Sequence, residues 1–178
     1  MAHAINIRSD DKSAEAIRSL WVECSALELA PSMGTLKYPP HITLAIYDQI
    51  GIPELTGAFD SAFSQATRFT AKFEKLDYFE TPQAIILWAA PILPDFVRSI
   101  HEHIHARVGV EQSRPHYRPG SWVPHCSLAT SIELSRKDEA IAFANRAIGP
   151  FEVIFDVADC VSFLPVEVLH EKELLADA

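Results

Sequence analysis

Two segments of the chain set a histidine and a hydroxyl residue two positions apart with nearly the same flanks. They are Pro40-His41-Ile42-Thr43-Leu44-Ala45 and Pro124-His125-Cys126-Ser127-Leu128-Ala129, one in each half of the 178 residues. In an extended strand, residues i and i+2 share a face. His41 therefore points with Thr43, and His125 with Ser127, while Ile42, Leu44 and Ile46 turn to an apolar side, as do Cys126 and Leu128. A lone His-x-Thr is usually a half-exposed sheet pair, but here both spacing and flanks recur. Two such pairs face to face would make a site for a phosphate. An imidazole, with an ordinary pKa near ~6.5, serves as acid or base close to neutrality. The hydroxyls would donate to phosphoryl oxygens, and a hydrogen bond to a charged group contributes roughly 1.5–3 kcal/mol.

The surroundings fit a small anion. The net charge of −9 opposes binding to long duplex nucleic acid, which needs many Lys and Arg. Ahead of the second motif, however, Arg107, Arg114 and Arg118 accompany His116, with Glu111 as the one acid among them. Arg118 is expected to clamp a phosphate, Trp122 or Tyr38 to stack on a base or ribose, and Lys37 to add charge. His101, His103 and His105 lack a third ligand nearby, so no metal site is assigned and they read as a partly exposed helical edge. Cys24, Cys126 and Cys160 occur singly and are given structural roles. Cys126 turns inward by strand parity, and no Gly-x-Ser-x-Gly elbow occurs, which weighs against a cysteine or serine hydrolase.

The elements that must position the motifs follow from periodicity. Residues 3–8 alternate as a strand, and a helix over about 10–27 follows with Ser9 or Asp10 as cap. The first motif strand covers about 41–47, and Pro53 opens a second helix. Residues 68–79 form a strand whose phase slips between Phe73 and Leu76, the mark of a bulge. A buried strand over 84–90, a helix from Pro94-Asp95 to about 108 and a Pro/Arg/aromatic loop precede the second motif strand at about 125–130. Ser135 caps a helix ended by Gly149-Pro150, and strands over 151–163 and 167–174 close the chain. Mixed helices and largely antiparallel strands make an α+β class, and the recurrence of the pattern points to a duplication or internal pseudo-symmetry. No apolar run approaches the ~20 residues of a membrane helix, and the N-terminus lacks a signal-peptide core. A cytoplasmic location without membrane partners is expected.

Paired His-x-Thr/Ser segments, one per half, resemble the two-histidine (2H) phosphoesterase superfamily, and within it the 2′-5′ RNA ligase-like and cyclic phosphodiesterase branch. Pro40-His41-Ile42-Thr43-Leu44 and Trp122-Val123-Pro124-His125-Cys126-Ser127-Leu128 carry the likeness, and Tyr117-Arg118-Pro119-Gly120 is similar to that branch's approach to its second motif. Ser127 stands where Thr is commoner and supplies the same hydroxyl. The resemblance implies one domain over 1–178 made of two pseudo-symmetric lobes, each a largely antiparallel sheet backed by helices, around a central groove. It also implies a metal-independent phosphodiesterase without cofactors, acting on 2′,3′-cyclic nucleotides or short RNA ends. His41 and His125 would be its acid/base pair, with Thr43 and Ser127 as donors. Joining RNA ends by a 2′-5′ linkage, or binding a nucleotide without turnover, would use the same residues. The sequence leaves open which imidazole is acid and which base, and the oligomeric state.

Overall fold

The computed structural model describes residues 1–10 and 12–176. Seven strands form one sheet: β1 (Ala2–Ser9), β2 (His41–Tyr47), β3 (Phe69–Glu80), β4 (Ile85–Ile92), β5 (Cys126–Ile132), β6 (Phe151–Phe163) and β7 (Glu167–Glu173). The helices are α1 (Glu15–Ser25), α2 (Ile52–Ala62), α3 (Asp95–Val108) and α4 (Lys137–Ala144). Every pairing between these strands is antiparallel.

The chain is a tandem of two β-α-β-α-β units, β1 to β3 and β4 to β6, with β7 appended. Strand order is β2-β1-β6-β3-β4-β5, with β7 also on β6. The third strand of each unit is therefore exchanged: β6 lies beside β1, and β3 beside β4. Two sheets backed by helices are thus joined through the β3–β6 pair into one continuous ladder. The exchange exists because β6 is long enough to pair with β1 and β7 along its C-terminal half and with β3 along its N-terminal end.

One face of the sheet carries the core. Ile5, Ile7, Ile42, Leu44, Phe73, Leu128 and Phe155 are fully or almost fully buried there, with Ile17, Leu55, Phe59 and Ile104 from the helices. The strand alternation that buries Ile5 and Ile7 sends Ala4 and Asn6 to the opposite face. The expected bulge in β3 is present as a register shift between Phe73 and Lys75.

Several boundaries differ from the sequence reading. Asp10 accepts a 2.7 Å bond from the Ser13 backbone and caps a turn over 12–14, so regular helix begins at Glu15 and ends at Ser25. Ser135 does not cap α4; it lies within a 3₁₀ turn, Leu134–Arg136, ahead of the helix. Gly109 ends α3 with φ of 102°, a conformation favourable only to glycine. His101 and His105 are not an exposed helical edge: they are 3% and 0% exposed, packed under the loop that leads to the second motif.

Candidate active site

β2 and β5 stand at opposite ends of the sheet order, yet they touch. The sheet curls so that its two edges meet, and the motif residues they carry line one cleft of about 750 Å³. His41, Thr43, His125 and Ser127 all line it. The Cys126 thiol packs against the His41 backbone, joining the strands from beneath; burial pushes its pKa up to about 12, so it is no nucleophile.

Each imidazole is held in the same way. His41 Nδ1 lies 2.9 Å from the Pro39 carbonyl, and His125 Nδ1 lies 2.7 Å from the Val123 carbonyl, in both cases two residues back. A carbonyl only accepts, so Nδ1 carries the proton on both rings and Nε2 is left as the free, basic nitrogen. An aromatic edge steadies each ring: Tyr38 against His41 at 4.8 Å, Phe79 against His125 at 5.1 Å. Burial pushes the pKa of His41 down to about 4, helped by the neighbouring His125, and lowers that of His125 as well. Both rings are therefore neutral near pH 7.

The two hydroxyls differ. Thr43 Oγ1 donates to Asn6 Oδ1 at 2.8 Å, while Asn6 Nδ2 reaches Tyr38 Oη at 3.2 Å and the buried Asp159 carboxylate at 3.3 Å. The Tyr38 hydroxyl donates to both Asp159 oxygens at 2.6 and 2.7 Å, and Arg8 Nε lies 3.3 Å from the same carboxylate. Asp159 thus fixes the amide orientation of Asn6, and Asn6 fixes the rotamer of Thr43. Ser127 faces Trp88 across its ladder, where Thr43 faces Asn6. Its hydroxyl has no hydrogen-bond partner among the described residues.

The structure separates the other expected site residues. Tyr38 lines the cleft, but its hydroxyl is bound to Asp159. Trp122 is buried, stacked on His101 with ring centroids 4.1 Å apart, and its indole N–H donates to the Thr43 carbonyl. Arg118 staples its own loop, donating to the Ser113 carbonyl and pairing with Glu111 at 2.7 Å, away from the cleft lining. Lys37 is exposed and lines an adjoining groove beside α1.

Residues that the motif reading passed over complete the cleft. Arg114 and Tyr117 come from the loop before β5, Asn6 from β1, Phe163 from the end of β6 and Val166 from the β6–β7 turn. Arg114 stood in the basic run, so its charge was a usable signal; nothing local marks Asn6 or Phe163. Ile46 also lines the cleft, contrary to its parity with Ile42 and Leu44. The β1–β2 register shifts between Ile5 and Asn6, leaving Leu44 as an extra residue, and the bulge turns Ile46 to the other face.

A helix-backed antiparallel sheet, curled so that paired histidines from its two edges share one cleft, is the architecture of a phosphoesterase-type fold. The chain belongs to the 2′-5′ RNA ligase superfamily, whose family model matches residues 9–163. Among solved structures, TT0787 of Thermus thermophilus is similar over 100% of both chains, at 15% identity and a TM-score of 0.66. Apo LigT of E. coli is similar over 98% of this chain and 99% of its own, at 12% identity and a TM-score of 0.64. LigT complexed with 3′-AMP gives 13% identity and a TM-score of 0.61 over the same shares. No curated protein sequence matches the chain.

Proposed function

We propose that the chain is a phosphodiesterase that opens 2′,3′-cyclic nucleotides or related RNA-end phosphodiesters by general acid/base catalysis from His41 and His125. The observation that carries this reading is the matched pair of Nδ1–carbonyl bonds, which leaves two basic Nε2 atoms for one cleft. One neutral imidazole takes a proton from water as the water oxygen bonds to phosphorus. The bond from phosphorus to the departing ribose oxygen breaks, and the other imidazole, protonated on binding the anion, returns a proton to that oxygen. Each transfer is worth about 10²–10⁴ in rate. Ser127, and Thr43 on leaving Asn6, donate to the phosphoryl oxygens, as preorganised donors do elsewhere. These four residues supply every proton transfer and every donor, so the scheme needs no metal.

LigT structures hold 3′-AMP, ATP and NADP+, which supports small nucleotides as the ligand class. The reading is of one two-lobed domain, cytoplasmic, with small phosphodiesters or short RNA ends rather than long duplexes as partners. No helix among the described residues is long and apolar enough to cross a membrane. Ligation to a 2′-5′ linkage is the same ring opening with a 5′-hydroxyl attacking phosphorus in place of water and the ribose 3′ oxygen leaving.

The test is turnover of a panel of 2′,3′-cyclic mononucleotides and 2′-5′-linked dinucleotides with a chelator present. His41→Ala and His125→Ala should each lower kcat by about 10²–10⁴ with unchanged circular dichroism. Full activity in either variant overturns the scheme. Labelled RNA halves with cyclic-phosphate and 5′-hydroxyl ends report ligation, and calorimetric binding without turnover of any substrate identifies a binding module instead.

A further inference from the structure

The two motif hydroxyls are not equivalent toward an anion, and the difference lies in Asn6. The Asp159 carboxylate only accepts, and the Tyr38 hydroxyl gives it its one hydrogen, so both present acceptors to the Asn6 amide. Asn6 therefore turns Nδ2 toward them, at 3.2 and 3.3 Å, and Oδ1 toward Thr43. Facing an acceptor at 2.8 Å, Thr43 Oγ1 is a donor, and its single hydrogen is committed. The Ser127 hydroxyl carries no such commitment among the described residues.

For Thr43 to donate to a phosphoryl oxygen, it must release Asn6. Thr43 is the one donor to Asn6 Oδ1 among the described residues. The amide cannot turn to find another, because Asp159, 0% exposed, and Tyr38 hold its other end. Asn6 is itself 2% exposed, and an acceptor left empty in so enclosed a place is unfavourable. Binding an anion at the first motif thus calls for a new donor at Asn6, delivered with the anion. The cleft allows this: its floor runs from Thr43 over Asn6 to Ala4, Val161 and Phe163, so a group attached to the phosphate and lying along that floor meets Oδ1.

We propose that Asn6 is a specificity-determining residue whose Oδ1 accepts from the ribose hydroxyl next to the phosphate, as Thr43 turns to the phosphoryl oxygens. The assignment rests on the phosphodiesterase reading above. A ribose phosphate brings both partners of the exchange: phosphoryl oxygens for the Thr43 hydrogen and, on the neighbouring carbon, a hydroxyl for Asn6. In a 2′,3′-cyclic phosphate that hydroxyl is absent, since both oxygens are bonded to phosphorus. It forms when the departing oxygen takes its proton, so the exchange completes as the ring opens. A phosphate without a neighbouring hydroxyl draws Thr43 away and leaves Asn6 empty. Asn6 thus separates ribose from deoxyribose phosphates at the sugar, without touching the base.

Calorimetry compares 3′-AMP with 2′-deoxyadenosine 3′-phosphate, which lacks only the neighbouring hydroxyl, and likewise 2′-AMP with 3′-deoxyadenosine 2′-phosphate. Wild type should bind the hydroxyl-bearing member of at least one pair about fivefold to tenfold more tightly. Asn6→Ala should abolish that preference by weakening the ribose compound alone. The deoxy compound should bind it as well as wild type or better, because Thr43 is then free to turn. Thr43→Val, which opens Asn6 Oδ1 to the ligand, should keep the preference or enlarge it, and it decides the matter if Asn6→Ala does not fold. Equal affinities within both pairs in wild type, a preference that survives Asn6→Ala because both compounds weaken alike, or one lost in Thr43→Val overturns the assignment. Turnover of 2′,3′-cyclic AMP is measured alongside. Its absence together with ribose-selective binding overturns the phosphodiesterase reading and upholds the Asn6 contact; its presence with equal affinities overturns the contact alone.

Discussion

Trp122 Nε1 donates a 3.0 Å hydrogen bond to the carbonyl of Thr43, so a residue leading into the second motif fixes the strand that carries the first. Trp21 on α1 does the converse, donating to the Ser127 carbonyl at 2.9 Å. β2 and β5 end the sheet order, and each indole satisfies a carbonyl on such an end strand. Each motif is thereby anchored by the half of the chain that bears the other.

Trp122→Phe keeps the ring on His101 but leaves the Thr43 carbonyl without its donor. The expected loss is about 1–2 kcal/mol of stability, read from urea melts, together with a fall in kcat because β2 loses its tether. An unchanged kcat would show that the tether is dispensable to the chemistry.

The two hydroxyls should respond differently to removal. Ser127→Ala strands no protein group, so its effect should fall on activity alone. Thr43→Val also leaves Asn6 Oδ1 without a donor, and should lower stability by about 1–2 kcal/mol as well. Paired melting and turnover measurements separate the two; equal stability losses would contradict the network.

Stability should decline as the solution is acidified from about pH 6.5 to pH 4. Burial depresses the pKa of His41 and of His101 to about 4 in the folded chain, and lowers those of His105 and His125. Unfolded histidines titrate near ~6.5. Above that value neither state is protonated and stability is full; below it the unfolded chain gains protons that the fold refuses. Asp159 and Asp156, both raised by burial, act in the opposite sense, two carboxyls against four histidines. Chemical denaturation across this range checks the sign, and His101→Phe should make the decline shallower.

Activity should follow the same depression. The proposed mechanism needs one neutral and one protonated imidazole, and the kcat/KM profile reports the free enzyme's values. Its maximum is expected on the acidic side of 6.5. The kcat profile should lie at higher pH, since a bound phosphodiester anion favours the imidazolium. Initial rates measured at saturating and at limiting substrate decide both points.

Much of the fold was legible because strand alternation and four-residue helical spacing are local. The β3 bulge showed as a slip between Phe73 and Leu76, and β6 matched its expected span, Phe151–Phe163. Helix starts were less legible: whether Asp10 caps a turn or a helix, and whether Ser135 caps at all, depends on where the neighbouring strands draw the chain. The burial of His101 and His105 was invisible for a similar reason, since the loop covering them is placed by Trp122 and by contacts to β2.

In the site, parity alone told that each imidazole shares a face with its hydroxyl, because that relation spans two residues of one strand. Parity could not tell that Ile46 joins them, since the bulge that turns it arises from pairing with β1. Nor could it tell that Asn6, Thr43 and Asp159 form one rung, that Arg114 rather than Arg118 reaches the cleft, or that Phe163 closes its far end. Those are facts of register and of the β3–β6 exchange, set by which distant strands bury one another's apolar faces. The sequence by itself chose the paired histidine and hydroxyl groups and their spacing. Only the curled sheet decided that they meet, and what stands beside them, because long-range hydrogen-bond registry leaves no imprint on local residue order.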